Sequence, residues 1–213
     1  MANCKIFLLA LAILLGACAS YDSVTVHRSD NALVLNGVID SETAHTLRAA
    51  MSANPAVRKL VLQNIPGSAD DEHSLRVLSR YIRGSGLTTV VPANGLVASG
   101  GTDMVTMGRY RVIEPGACIG VHSWAMQGLM TMDAGADLPR DDAGHDLYLD
   151  FYQDMGIVEE FYWFTLQAAG PDKVHWMTEE EINRYGLSTE PVQGSPHETA
   201  AQRQRRCESR ISQ

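Results

Sequence analysis

The 213-residue sequence lacks the short motifs that mark the common metal and nucleotide sites. It contains no HExxH, CxxC or EF-hand loop, so we expect no metal site. No GxGxxG follows a predicted strand, and we expect no cofactor. The GxSxG turn of the α/β-hydrolases is also absent, which excludes the usual serine site of that fold.

Positive charge is also scarce. The chain carries 17 Lys and Arg against 25 Asp and Glu, a net charge of -8. No basic stripe is interleaved with aromatic residues, so we expect no nucleic-acid partner. The cluster Arg203–Arg206 lies in a polar C-terminal segment and is typical of solvated charge.

A long membrane-spanning run is missing too, but the first residues are typical of an export signal. Lys5 precedes the apolar run Ile6–Leu15, which has the length of a signal-peptide core and is too short for a confident membrane span. Leu15–Cys18 resembles a bacterial lipobox, which would make Cys18 the lipidated first residue after cleavage of a signal in residues 1–19. The alternative is ordinary cleavage around Ala17–Ala19 and a soluble secreted protein. The residue after Cys18 is not an aspartate, so we expect a periplasmic protein that a lipid anchor holds at the outer membrane.

Two cysteines remain once the signal is removed. Cys118 and Cys207 could pair in an oxidising compartment and would then tie the C-terminal tail to the strand before His122. The alternative is two unpaired thiols, with Cys118 buried.

The hydrophobic pattern after the signal alternates between short strands and amphipathic helices. Such βαβ alternation predicts an α/β fold with a mainly parallel sheet flanked by helices. We expect one domain over residues 22–190 and a polar, disordered tail over residues 191–213. The segment Ser123–Asp142 is too long for a simple connection, so we expect a functional lid or a partly disordered loop.

The stretch Leu96–Trp124 contains the candidate chemistry. Ser99 follows a predicted strand and precedes Gly100–Gly101 at a predicted helix start, and His122 ends a later strand. A serine hydroxyl needs a base to accept its proton, and these two positions can meet in space. The alternatives are that Ser99 is the N-cap of a helix and that His122 is a satisfied core histidine; His175 is the nearest rival base.

A third residue should orient the imidazole. Asp172 is the first choice, and Asp146 and Asp150 are rivals. For each of them the alternative is solvated surface charge.

These residues resemble the ClpP/crotonase superfamily, specifically the secreted ClpP-like proteins of bacteria. The segments that carry the resemblance are Lys59–Asn64 with Pro66-Gly67, Ala98-Ser99-Gly100, Gly108 with Arg111, Ile119–His122 and Thr178–Leu187. The resemblance implies a ββα spiral core and assembly into a homo-oligomer.

The same resemblance implies roles for individual residues. Ser99 would be the nucleophile, His122 the base and Asp172 the acid, and the backbone N–H groups of Gly67, Ser68 and Gly100 would bind the oxyanion. Two departures stand out: Ser68 replaces a family glycine, and a gapless alignment from Tyr185-Gly186-Leu187 puts Val174 at the acidic position, so Asp172 needs a shift.

Three functions follow as hypotheses. The first is a cell-envelope serine peptidase that acts on a peptide or protein substrate. The second is a non-catalytic envelope lipoprotein that retains the fold as a binding or scaffold module. The third is crotonase-type acyl-thioester chemistry, which would need coenzyme A outside the cytoplasm and ranks last.

Overall fold

The computed structural model describes residues 21–127, 132–194 and 197–211. The predicted signal peptide and its lipobox cysteine, Cys18, lie outside the described residues. The strands are β1 (Thr25–Ser29), β2 (Ala32–Asn36), β3 (Lys59–Ile65), β4 (Thr88–Val91), β5 (Leu96–Ala98), β6 (Tyr110–Ile113), β7 (Cys118–Val121), β8 (Ala125–Gln127), β9 (Met132–Ala134) and β10 (His175–Trp176). The helices are α1 (Thr43–Ala53), α2 (Asp71–His73), α3 (Ser79–Gly84), α4 (Gly100–Thr106), α5 (Asp146–Met155), α6 (Glu159–Ala168), α7 (Glu179–Arg184) and α8 (Ala200–Ile211), with a π-helical turn, Ser74–Leu78, joining α2 to α3.

The sheet is mostly parallel, as the alternation predicts. The path runs β1-β2-β3-β5-β7-β10, and β4 and β6 branch from β3. The branch arises because the first half of β3 pairs with β4, whereas Asn64 and Ile65 pair with β5. The antiparallel pairs in this sheet are the β1–β2 hairpin and β10 on β7.

The core lies between this sheet and the helices packed on it. Leu33 and Leu35 of β2 and Leu60 and Leu62 of β3 are almost fully buried and alternate with more exposed residues. Such two-residue alternation turns one face of each strand towards the core. The same core extends to α5 and α6.

The described part of the segment Ser123–Asp142 contains regular structure. Its described residues contain the antiparallel pair β8–β9 and the 3-10 turn Gly135–Asp137. Gly135 lies directly against the indole of Trp124, where a Cβ would come within 2.4 Å of a ring atom. This close approach packs the turn after β9 against the residue before β8.

The disorder predicted for residues 191–213 is wrong over most of the described tail, because Ala200–Ile211 form α8. Cys118 and Cys207 are joined by a disulfide, with their Cα atoms 5.6 Å apart. Glu198 pairs with Arg203 and Arg206 at the start of the helix. A covalent link and an ion-pair cluster order a segment whose composition alone would leave it unfolded.

None of the helices in the described ranges is both long and apolar enough to cross a membrane.

Candidate active site

Ser99 occupies the sharp turn between β5 and α4. Its φ of 54° and ψ of -129° are unusual for a residue other than glycine. Such backbone strain costs about 1–3 kcal/mol and persists only where neighbouring structure enforces it. Here the enforcing bond is the Ser99 N–H, which donates to the Gly120 carbonyl of β7 at 3.1 Å.

The hydroxyl of Ser99 does not cap helix α4. Ser99 stands at the N-cap position of α4, yet its side chain makes no capping hydrogen bond. Serine at this position usually caps with its side-chain oxygen. The capping alternative considered for Ser99 therefore does not explain the residue, and its hydroxyl lines a small cavity instead.

His122 lines the same cavity, one residue beyond β7. Its Nδ1 lies 2.8 Å from the carbonyl oxygen of Ser123. A carbonyl only accepts hydrogen bonds, so Nδ1 carries the proton and Nε2 is unprotonated in the neutral ring. Burial lowers the pKa of His122, which favours this neutral form.

The two side chains are neighbours around one cavity but are not yet bonded. Within the described ranges, the Ser99 hydroxyl and the His122 ring make no hydrogen bond to each other. The cavity has a volume of about 30 Å³, which is room for about two water molecules. Catalytic hydrogen bonds are often long in unliganded enzymes and shorten when substrate binds.

The predicted oxyanion residues surround Ser99. A Cβ placed on Gly100 would lie 2.4 Å from the Ser68 Cβ, and one on Gly67 would lie 4.0 Å from the Ser99 Cβ. The Gly67 carbonyl and the Ala69 N–H are bonded to Ile39, which fixes this loop against the chain after β2. In the described parts of the chain, the N–H groups of Gly67, Ser68 and Gly100 have no backbone acceptor. These three residues lie beside Ser99 but are not among the residues that line the cavity.

Two carboxylates that the sequence did not single out also line the cavity. Asp71 begins α2 and accepts a hydrogen bond from the Tyr148 hydroxyl at 2.8 Å. Asp103 lies one turn after Ser99 on α4 and accepts from the Tyr152 hydroxyl at 2.5 Å. Burial raises the pKa of Asp71, and burial raises the pKa of Asp103 to about 7.

Asp71 faces the candidate base. Its negative charge acts to raise the pKa of His122, and the histidine in turn acts to lower the pKa of Asp71. A sequence signal for Asp71 exists in retrospect, because it follows the Pro66–Ser68 loop by three residues. Asp103 also stands out as the charged residue in a short helix of small and apolar residues.

Asp172 is not among the residues that line this cavity. It is exposed and lines another groove, beside Val174 and α8. Its rivals Asp146 and Asp150 are exposed on α5. The acidic residue whose charge acts on His122 is therefore Asp71. It precedes Ser99 in the sequence, whereas the predicted candidates all follow His122.

Helix α6 carries four consecutive aromatic residues, Phe161–Phe164, which contribute to both the core and the cavity. Tyr162 is almost fully buried, and its hydroxyl lies 2.9 Å from the Trp124 indole nitrogen and 2.6 Å from His145 Nδ1. The ring of Tyr148 stacks between those of Trp124 and Tyr162. This stack forms the wall that keeps the cavity small.

His175, the rival base, lies elsewhere. Its Nε2 is 3.0 Å from the Glu181 carboxylate on α7, and His175 does not line the Ser99 cavity. Nor do the described ranges contain a group of three or more His, Cys, Asp or Glu side chains that could hold a metal ion.

Comparison with solved structures identifies the fold. A mutant of the 1510-N membrane-bound stomatin-specific protease, in complex with a substrate peptide, superposes with a TM-score of 0.52 at 17% identity, over 74% of this chain and 71% of that one. The chain has the ClpP/crotonase fold. An enoyl-CoA hydratase from a Polaromonas species is also similar, at 11% identity with a TM-score of 0.47, over 90% of this chain and 78% of that one.

The ClpP/crotonase fold that the sequence motifs imply is thus confirmed. No protein-family model matches the sequence, and neither does any curated protein. At these identities the similarity concerns the fold alone, and the chemistry has to be argued from the residues of the cavity.

Proposed function

We propose that this protein is a serine peptidase of the cell envelope. The observation that carries the proposal is a strained serine whose hydroxyl is not used as a helix cap and which shares a cavity with a neutral histidine. The unpaired N–H groups around Ser99 add the electrostatic part of such a site.

The reaction would proceed by acyl transfer. Ser99 Oγ attacks the peptide carbonyl carbon while His122 Nε2 accepts the hydroxyl proton. The N–H groups of Gly67, Ser68 and Gly100 stabilise the oxyanion, and one such donor is worth about 3 kcal/mol of the barrier. His122 then returns its proton to the leaving amine as the C–N bond breaks, and water attacks the acyl-enzyme by the same route in reverse.

Asp71 is the acidic residue of the site in this proposal. When His122 gains a proton it becomes a cation, and the carboxylate of Asp71 would stabilise that cation across the cavity. The Nδ1–H bond to the Ser123 carbonyl already orients the ring. A main-chain carbonyl therefore orients the imidazole, and Asp71 acts through its charge.

The cavity is lined by hydrogen-bonding side chains, which suit a peptide backbone, but the wall of Trp124 and Tyr148 has to move to admit one. The protease with the similar fold was solved with a substrate peptide, which supports the same substrate class here. The predicted signal and the lipobox at Cys18 would place the enzyme in the periplasm, anchored to the outer membrane. A homo-oligomer, which the fold resemblance implies, belongs to the same proposal.

A fluorophosphonate probe tests the nucleophile. We expect the probe to label the wild-type protein, Ser99→Ala to abolish labelling, and His122→Gln to slow it by at least about 100-fold, the usual contribution of a general base. Ser52→Ala and His45→Gln are matched controls, because both residues are exposed on α1, and they should label at the wild-type rate. Loss of helical circular dichroism in a variant would identify a folding defect.

A non-catalytic binding module is the second candidate. The small cavity and the lack of a Ser99–His122 hydrogen bond in the described residues favour it, since a peptide needs the wall of Trp124 and Tyr148 to move. Well-folded wild-type protein that resists the probe, and that cleaves no peptide from a mixed library, would support the module and overturn the peptidase.

A further inference from the structure

A second cavity, of about 350 Å³, lies where α8 crosses the sheet away from Ser99. This volume is within the range of small-molecule sites, which begins at about 300 Å³. We call it the amide–arginine groove after the side chains that characterise it. These are Asn36, Gln63, Asn64, Asn94, Arg206 and Arg210.

A β-bulge brings two amides to this groove. Leu35 pairs with Leu62, but the next residue, Asn36, pairs with Asn64, so Gln63 is an extra residue in β3. A bulge redirects side chains that would otherwise alternate between the two faces. Gln63 and Asn64 therefore both line the groove, although they are adjacent in sequence.

One of these amides has an unused acceptor. The side-chain oxygen of Asn64 is buried, and no donor in the described residues reaches it. A buried carbonyl without a donor costs about 1–3 kcal/mol, so such atoms are rare. Asn64 lines the groove, and rotation of its side chain would present this oxygen to a ligand with a hydroxyl or N–H group.

The charge of the groove has one sign. Arg206 is neutralised by Glu198, with Nη2 and Oε2 2.8 Å apart. Arg210 forms no ion pair within the described ranges, and the charge of Glu198 acts on it only from a greater distance. Its Nη1 lies 3.0–3.2 Å from the carbonyl oxygens of Gly116, Gly95 and Ala93.

Those carbonyl contacts fix the guanidinium of Arg210 without cancelling its charge. Its remaining nitrogens, Nε and Nη2, donate no hydrogen bond to the part of the chain that the structure describes. Among the residues that the structure describes, no Asp or Glu lines the groove. A fixed, planar guanidinium with free donors is suited to a carboxylate, which it can bind through two parallel hydrogen bonds.

We propose that the amide–arginine groove binds a small carboxylate that also carries a hydroxyl or N–H donor. Arg210 binds the carboxylate, and Asn64 accepts the donor. The other amides offer further hydrogen bonds. This site is separate from Ser99, and the proposal does not depend on the peptidase reaction.

Calorimetric titration of the full chain tests the site with defined probes. D-glucuronate and N-acetylglycine each combine a carboxylate with hydroxyl or N–H donors and represent a sugar acid and a peptide end. We expect one of them to bind with 1:1 stoichiometry. Acetate lacks the donor and D-glucose lacks the charge, so both should bind at least about tenfold more weakly.

Variants link the binding to the groove. Arg210→Gln should weaken binding of the preferred probe by at least about tenfold. Arg205→Gln removes the same charge from an exposed position of the same helix and should leave binding unchanged. Asn64→Leu, of similar size, should weaken binding without changing any charge.

The outcomes are decisive in both directions. If neither probe binds the wild type at tens of millimolar, or if Arg210→Gln and Arg205→Gln bind equally well, the proposal is overturned. Should Arg210→Gln fail to fold, Asn64→Leu decides in its place. Ser99→Ala should bind the probe normally, which separates this result from the fate of the peptidase proposal.

Discussion

The two ends of β5 and β7 differ in chemistry and in what holds them together. At their C-terminal ends, Ser99 and His122 meet two carboxylates, and no arginine or lysine of the described residues lines the cavity. At their N-terminal ends, Leu96 and Cys118 lie under α8, beside Arg206 and Arg210. The same pair of short strands thus separates an acidic cavity from a basic groove.

The comparison shows two ways of fixing a strand end. The N-terminal ends are held by the disulfide and by arginine bonds to main-chain carbonyls, such as that of Gly116. The C-terminal ends are held by close backbone packing, because α4 approaches β3 where only Gly101 fits. The disulfide-linked end carries a groove, whereas the backbone around Ser99 is closely packed.

The largest expected effect comes from removing the disulfide at the N-terminal ends of β5 and β7. Replacing both Cys118 and Cys207 with alanine should lower the free energy of unfolding by about 4–5 kcal/mol, since the link closes a loop of 89 residues. Urea denaturation measures the loss. Reductant should destabilise the wild type in the same way and leave the double variant unchanged. A double variant within about 1 kcal/mol of the wild type would contradict the role given to the disulfide.

The buried acid at the other end should make stability depend on pH. The pKa of Asp103 is about 7 in the folded protein against an ordinary value of 3.8, so the folded state retains a proton that the unfolded chain releases. The free energy of unfolding should therefore fall by about 3 kcal/mol between pH 4 and pH 7 on account of this residue.

Asp103→Asn should remove that part of the pH dependence. Urea denaturation at several pH values, compared with the wild type, gives the difference. Asp150→Asn is the control, because Asp150 is an exposed aspartate on α5. Equal pH slopes for wild type and Asp103→Asn would show that Asp103 does not hold a proton in the folded state.

Close packing at the Ser99 end can be tested with a pair of glycines. A Cβ on Gly101 would lie 1.9 Å from the Ile65 carbonyl oxygen, so Gly101→Ala should destabilise the protein by about 3 kcal/mol and slow probe labelling of Ser99. A Cβ on Gly84 would meet no neighbouring atom within 4 Å, and Gly84→Ala should be neutral or stabilise by up to about 1 kcal/mol. Thermal melting of the two variants, if equal, would contradict the packing argument.

The smallest expected effect concerns the charge of Asp71. Asp71→Asn removes a charge that acts to raise the pKa of His122, so the acid limb of the labelling rate should move to lower pH. The maximal rate should fall by no more than about tenfold, because the Ser123 carbonyl still orients the ring. Glu72→Gln removes the same charge from an exposed neighbour and should leave the profile unchanged. An unshifted profile in Asp71→Asn would remove Asp71 from the mechanism.

Local sequence patterns are sufficient to predict the fold and the positions of Ser99 and His122. Alternation of strands and helices predicts the parallel sheet, and the motifs around Ser99 and His122 predict its family of folds. Both residues directly follow strands that pair side by side, so strand register alone brings them near one another. Their catalytic roles stay a prediction until the labelling experiment is done.

The acidic partner cannot be found in the same way. Place in the sequence favours Asp172, yet that residue lies in an exposed turn, while Asp71 reaches the cavity from the beginning of α2. Tyr148 and Tyr152, which bond the two buried carboxylates, come from α5. Contacts between segments 49–77 residues apart depend on how helices pack, and no local pattern reports that packing.

The sequence by itself determined most of the elements, the mainly parallel sheet and the candidate positions beyond the strand ends, because hydrophobic periodicity and turn residues act over short distances. Only the tertiary structure decided that Asp71 and Asp103 share the Ser99 cavity and that the polar tail forms a helix beside Asn64. Burial sets the ionisation of those carboxylates, and a disulfide orders that helix. Both effects exist only once distant parts of the chain have come together.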